Sequence, residues 1–105
     1  MMMKKFINDP DNLVNELLHG FALANADKVK LADNNLVVRA NPKSEDKVAL
    51  VTLGGAGHEP ALSGYVGEGL LDISVPGEIF AAPGPPRLLE ALRMANRPAG
   101  VLLVT

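Results

Sequence analysis

Three stretches limit what this chain can fold into. "KVALVTL", residues 47–53, is a near-continuous apolar run, β-branched in part and bounded by Lys47 and Gly54. "PAGVLLVT", residues 98–105, has the same character, and "NNLVVRAN", residues 34–41, holds a shorter run between turn-forming residues. A strand wetted on one face alternates apolar and polar side chains. A run that is apolar throughout suits a strand buried on both faces, as in parallel sheets covered by helices.

The segments between these runs supply the helices. "NDPDNLVNELLHGFALAN" predicts a helix over 10–24. Asp9 caps it, Pro10 suits the first helical position, and Asp11 lies at the positive end of the helix dipole. Leu13, Val14, Leu17, Leu18 and Phe21 recur at helical spacing and form one apolar face. Gly20 weakens the helix by about 1 kcal/mol relative to Ala, and Asn25 or a neighbour ends it. "PPRLLEALRMAN" predicts a second helix over 86–95, with Pro86 near its start and Leu88, Leu89, Leu92 and Ala95 on one face. The leucine stripe reads as core. "LLDISVPG" predicts a short strand that Pro76 ends, and "EIFAAPGPP" a Pro-rich loop. Strands are expected near 36–39, 47–53, 70–74 and 100–104. The alternation defines an α/β fold, a mixed or parallel sheet with helices on its faces and right-handed crossovers.

Composition removes several classes of function. The 105 residues are the size of one domain, and 48% are apolar, enough for a core. The net charge is −2, with acids and bases interspersed, which gives no electrostatic basis for binding nucleic acid or an anionic membrane. Without cysteine there is no disulfide framework and no thiolate metal site. "MMMKKFINDPDN" turns polar where a signal peptide would be apolar, so a cytoplasmic location is expected. No apolar run approaches the roughly 18 residues of a membrane span.

The chain has two histidines, and one of them follows a Gly-rich segment, "TLGGAGHEPA" at 52–61. That segment leaves the end of a predicted strand, where open α/β sheets bind ligands. Gly54, Gly55 and Gly57 permit positive φ and close approach of backbone to a ligand, and N–H groups in such a turn hold phosphate or hydroxyl oxygens. His58 brings an imidazole that takes a proton near neutral pH, and Glu59 either orients that ring or faces solvent. A tight chain reversal without ligand explains the same glycines, and both readings stay open on these residues alone. The segment is not a P-loop, lacking G-K-[ST], and not the dinucleotide fingerprint. Ser63, five residues past His58, has no base and orienting partner. His19 reads as a partly exposed helix histidine, and the two histidines have no metal-site spacing, so neither metal nor bound cofactor is expected here. Asp72 reads as a solvated surface carboxylate, and Glu78, beside Pro76-Gly77, as a loop residue with a better claim to a role.

In order along the chain, "KKFINDP", "VVRA", "KVALVTLGGAGHEPALSGYVGEGLLD", "PGEIFAAP" and "GVLLVT" resemble the amino-terminal part of the substrate-binding K subunit or domain of dihydroxyacetone kinases. The resemblance covers nearly the whole chain. It implies an α/β domain that binds dihydroxyacetone, which the kinase converts to dihydroxyacetone phosphate. A histidine from a later part of such proteins holds the ketone carbon as a hemiaminal. Gly55 and His58 match the substrate-contacting positions of the Gly-rich loop, and Gly54 and Gly57 its other glycines. The resemblance makes His58 the catalytic group that hydrogen-bonds and helps deprotonate the substrate hydroxyl. Phosphate is implied to come from ATP on a partner L domain, or from an L subunit recharged through a phosphotransferase relay.

The chain departs from the family pattern. Leu53 and Ala56 stand where the loop usually has Gly and Ser, and "FAAPGPP" replaces "FTSPTPD". The family's Lys-Asn-Tyr-Thr-Gly-Asp motif, expected just past Thr105, is not in the sequence, nor is the hemiaminal histidine. Residues 1–105 are therefore expected to be a partial segment of the K domain, a fragment or a short product, inactive by itself. An apolar strand at 100–104 is expected to need cover from a second copy, as in a homodimer, or from the remaining chain. The alternative is a non-catalytic ligand-sensing or regulatory paralogue; a bare structural module is a third reading.

Overall fold

The apolar runs pair into a five-stranded mixed sheet in the computed structural model, which describes residues 8–57, 61–79 and 81–105, with backbone alone at Pro10. The elements are α1 (Leu13–Ala24), β1 (Val29–Ala32), β2 (Leu36–Arg39), β3 (Ala49–Ala56), β4 (Ile73–Ile79), α2 (Pro85–Ala95) and β5 (Val101–Val104). Their order across the sheet is β1-β2-β4-β3-β5. β1 and β2 are antiparallel, as are β2 and β4, whereas β3 runs parallel to both of its neighbours, β4 and β5. The most continuous apolar run thus becomes the strand inside the parallel part of the sheet.

Both faces of the sheet are covered, as those runs require. Strand alternation sends Leu36 and Val38 to one side and Val37 to the other. On the first side α2 lays Ala91, Ala95 and Leu88 over Leu36, Val38, Ala49, Val51, Ile73 and Val75. On the second, α1 lays Val14, Leu18 and Phe21 over Val29, Val37, Ala56 and Val66. Each fully buried Val or Leu contributes about 2 kcal/mol, so one helix face outweighs the propensity loss at Gly20. The start of α1 forms as its residues predict. Asp9 Oδ1 accepts the Asp11 N–H at 3.0 Å, and a 3₁₀ turn over Pro10–Asn12 leads into the helix. At the other end the backbone N–H and side-chain amide of Asn25 both donate to the Phe21 carbonyl, at 3.1 and 2.9 Å.

Four features differ from expectation. β1 is not foreseen, because Lys28 and Lys30 leave "VKLA" without a continuous apolar run. It forms as the partner of β2 across a turn in which Asn34 and Asn35 both adopt φ 59°, a conformation asparagine tolerates better than most residues. β3 continues to Ala56, so Gly54 and Gly55 are strand rather than turn, and of the segment's glycines only Gly57 takes positive φ, 104°. β4 runs through Pro76 to Ile79 instead of ending at the proline. Pairing with β2 stops at Ser74, so at Pro76 the strand has a partner on one side only, the setting in which a proline is tolerated. In α2 the sheet-facing positions are Leu88, Ala91 and Ala95, and Leu89 is 48% exposed rather than core.

Candidate functional site

The parallel strands β3 and β4 deliver two glycine-containing segments to the same edge of the sheet. Up to Gly54, opposite Pro76, the pairing is regular; the next pair is Ala56 with Ile79, so two steps along β3 match three along β4. Gly77 and Glu78 therefore oppose Gly55 in a β-bulge, an irregularity that disrupts the ladder locally and often lies beside active sites. The structure brings together Gly54, Gly55, Gly57 and Glu78. His58 and Glu59 lie outside the described residues.

Gly77 lies at this edge too, and the sequence reading passed over it. A Cβ there would stand 2.1 Å from the Ala81 carbonyl oxygen and 2.7 Å from Ala82 C and Pro83 N. The Pro-rich loop folds back across β4, with the Ala81 N–H donating to the Glu78 carbonyl at 3.0 Å, and only a glycine leaves room for it. The available signal was Gly77 directly after Pro76, a few residues ahead of Pro83-Gly84-Pro85. Glu78 is exposed on β4, near enough to Arg87 at the start of α2 to help keep that guanidinium charged against its partial burial.

The other singled-out residues sit elsewhere. His19 is exposed on α1, as expected. Ser63 is buried and shares a 3.1 Å hydroxyl–hydroxyl hydrogen bond with Ser74 of β4, a structural role. Asp72 is not a solvated surface carboxylate. It is 5% exposed, and its Oδ2 accepts the Leu50 N–H at 2.7 Å and pairs with Lys43 Nζ at 2.9 Å, while Oδ1 faces Arg39 Nη1 at 3.3 Å. Burial pushes this carboxyl up, but the Leu50 N–H and the two cations more than offset it, holding it below the ordinary carboxylate range. An isolated acidic residue between "LL" and "ISV" carries no sequence mark of this network, because both cations come from the distant 39–43 segment.

A groove of about 500 Å³ opens beside Asp72, lined in part by Lys30, Lys43, Met94 and Arg97. It lies at the opposite end of β4 from the bulge. Three of its four cations are engaged: Arg39 and Lys43 hold Asp72, and Arg97 donates to the carbonyls of Lys43 and Ser44 at 3.3 and 3.2 Å. These three groups brace the loop before β3. Among the described residues no group of three or more His, Asp or Glu side chains is placed to hold a metal ion, and no helix is long and apolar enough to cross a membrane.

A mixed α/β sheet with a glycine strand running into its carboxyl edge places the chain in a known class: it belongs to the Dak1 domain family, whose model matches residues 19–105. It is 46% identical over 105 residues to the "PTS-dependent dihydroxyacetone kinase, dihydroxyacetone-binding subunit DhaK" of Lactococcus lactis, covering 99% of this chain and 31% of that protein. The chain thus spans about a third of that relative's length. Its fold superposes on the dihydroxyacetone kinase of C. freundii, crystallised with AMP-PNP and Mg2+, with a TM-score of 0.88 at 31% identity, over 97% of this chain and 20% of that one. It is also similar to a "Dihydroxyacetone kinase operon co-activator Dha-DhaQ", with a TM-score of 0.75 at 34% identity, over 84% of this chain and 27% of that one.

Proposed function

We propose that this chain is the amino-terminal part of the substrate-binding domain of a dihydroxyacetone kinase, and that the edge formed by β3 and β4 holds the ketose. The supporting observation is the bulge that sets Gly55 opposite Gly77 and Glu78 at the carboxyl ends of parallel strands, where ligands bind in open α/β sheets. Gly54, Gly55 and Gly57 line the substrate with little steric bulk, and His58 takes the proton from the substrate hydroxyl as it attacks phosphorus. The phosphoryl group comes from a partner L domain or subunit, charged by ATP or by a phosphotransferase relay, and the product is dihydroxyacetone phosphate. Residues 1–105 are a part of the K domain and do not turn over alone. The complete protein is cytoplasmic and dimeric.

A regulatory relative that binds the ketose without phosphorylating it is the second reading, favoured by the likeness to the operon co-activator. Titration of the complete protein with dihydroxyacetone by calorimetry tests the binding shared by both readings. Saturable binding supports them, and absence of binding at millimolar ketose removes both. Phosphate transfer with the L component then separates the kinase from the regulator.

A further inference from the structure

The groove beside Asp72 carries a charge opposite to that of the whole chain. Four cations line it, Lys30, Arg39, Lys43 and Arg97, against two carboxylates, Asp33 and Asp72. That leaves an excess of two positive charges in a chain whose net charge is −2. The bonds these cations make do not remove the excess. Asp72 is shared between Arg39 and Lys43, so one acid answers two bases, whose side chains are only 10% and 15% exposed. Arg39 reaches Asp72 through Nη1, and its Nε and Nη2 have no hydrogen-bond partner among the described residues. Arg97 donates to carbonyl oxygens, which carry no net charge. Lys30 has neither an ion pair nor a side-chain hydrogen bond among the described residues. It stands opposite Val38 in the β1–β2 ladder, so its side chain leaves the sheet on the side of α2. A partly buried cluster with unanswered charge favours a bound counter-ion. The rest of the lining is largely apolar: Ala32, Val38 and Ile73 from the sheet, and Met94, 48% exposed, from α2.

We propose that this groove binds an organic phosphate monoester, its phosphate held by Lys30 and Arg39 and its organic group lying against Val38 and Met94. A phosphate monoester carries close to two negative charges at neutral pH, which matches the excess; a carboxylate carries one. Guanidinium and ammonium groups are the side chains that hold phosphate oxygens best. A volume of about 500 Å³ is more than a bare phosphate needs and lies within the range of small-molecule sites. The site is at the opposite end of β4 from the bulge and does not depend on the ketose reading.

The test uses the complete protein, with phenyl phosphate as the probe, in calorimetry at low ionic strength with and without dihydroxyacetone. Expected is one site per chain with a Kd of about 1 mM or tighter, weakened by added salt and unchanged by dihydroxyacetone. Benzoate, with one charge, and inorganic phosphate, with no organic group, bind about tenfold more weakly or less tightly still. Lys30→Gln, at an exposed position, leaves Tm unchanged and weakens phenyl phosphate about tenfold. Met94→Ser weakens phenyl phosphate several-fold and leaves inorganic phosphate unaffected. Absence of saturable binding at millimolar phenyl phosphate overturns the proposal. So does a Kd unchanged by Lys30→Gln or by Met94→Ser, and so does competition by dihydroxyacetone, which places the probe at the β3–β4 edge. Benzoate binding as tightly as phenyl phosphate overturns the assignment of a dianion, and inorganic phosphate binding as tightly overturns that of an organic ester.

Discussion

The Asp72 carboxylate accepts the backbone N–H of Leu50 at 2.7 Å, tying the entry of β4 to the second residue of β3. The same carboxylate gathers Lys43 and Arg39, so one buried acid fixes the parallel register and anchors the loop before β3. Removing one member of a buried pair leaves its partners uncompensated. Asp72→Asn is therefore expected to lower stability by about 3 kcal/mol, the low end for such a loss because Arg39 and Lys43 can turn toward solvent. Urea denaturation at neutral pH measures this, and a change below about 0.5 kcal/mol, the surface-substitution scale, contradicts the assignment.

The same group sets an acid dependence. Its folded pKa is depressed, so its contribution is present above the ordinary Asp value of about 3.9 and is lost as pH falls through the lower folded value. The stability gap between wild type and Asp72→Asn should narrow on acidification below about pH 4. A gap that stays constant from neutral pH to the acid transition would show that ionised Asp72 contributes nothing.

Two glycines outside the loop should respond in opposite directions. Gly20 lies exposed within α1, and a Cβ there meets nothing within 4 Å. Gly20→Ala is expected to stabilise the protein by up to about 1 kcal/mol, the helix-propensity difference. A lowered Tm would mean that this helix position has a constraint beyond propensity.

At Gly77 the nearest atoms belong to backbone, not to a side chain that can swing away. Gly77→Ala must move the 81–83 loop or open the bulge, and a loss of about 3 kcal/mol is expected, at the upper end for single substitutions. Thermal melts of both variants, side by side, check the contrast.

His58→Asn in the complete protein is expected to lower the phosphorylation rate by roughly 10²-fold or more, the scale of a general base, with Tm nearly unchanged. An intact rate in the folded variant would remove the catalytic assignment. A lowered Tm with the rate per folded molecule preserved would mark His58 as a structural cap of its turn.

β5 is the outer strand beside β3, and Leu102, Leu103 and Val104 on it are exposed, Leu102 by 55%. An apolar edge of this kind presents both unpaired backbone and hydrophobic surface. The 105-residue chain is expected to associate at micromolar concentration, and Leu102→Lys to suppress that association. Light scattering that finds a monodisperse monomer for the unsubstituted chain would contradict it.

The sequence by itself determined the layered α/β class, both helices, the Asp9 and Asn25 caps, and the cores of β2, β3 and β5. These depend on local propensity and on the hydrophobic period, both written into short windows. The Gly-rich segment was legible as a ligand-loop candidate for the same reason, since its glycines adjoin a strand in the chain itself. Tertiary structure alone decided the rest. β1 is a strand because β2 is there to pair with it, and β4 survives Pro76 because its neighbour on one side has ended. Gly77 must be glycine because a loop returns over it. Asp72, which its neighbours in sequence mark as nothing special, is buried because Arg39 and Lys43 arrive from more than 25 residues away. In each case the deciding contact joins residues distant along the chain, and its energy exists only after the sheet has assembled.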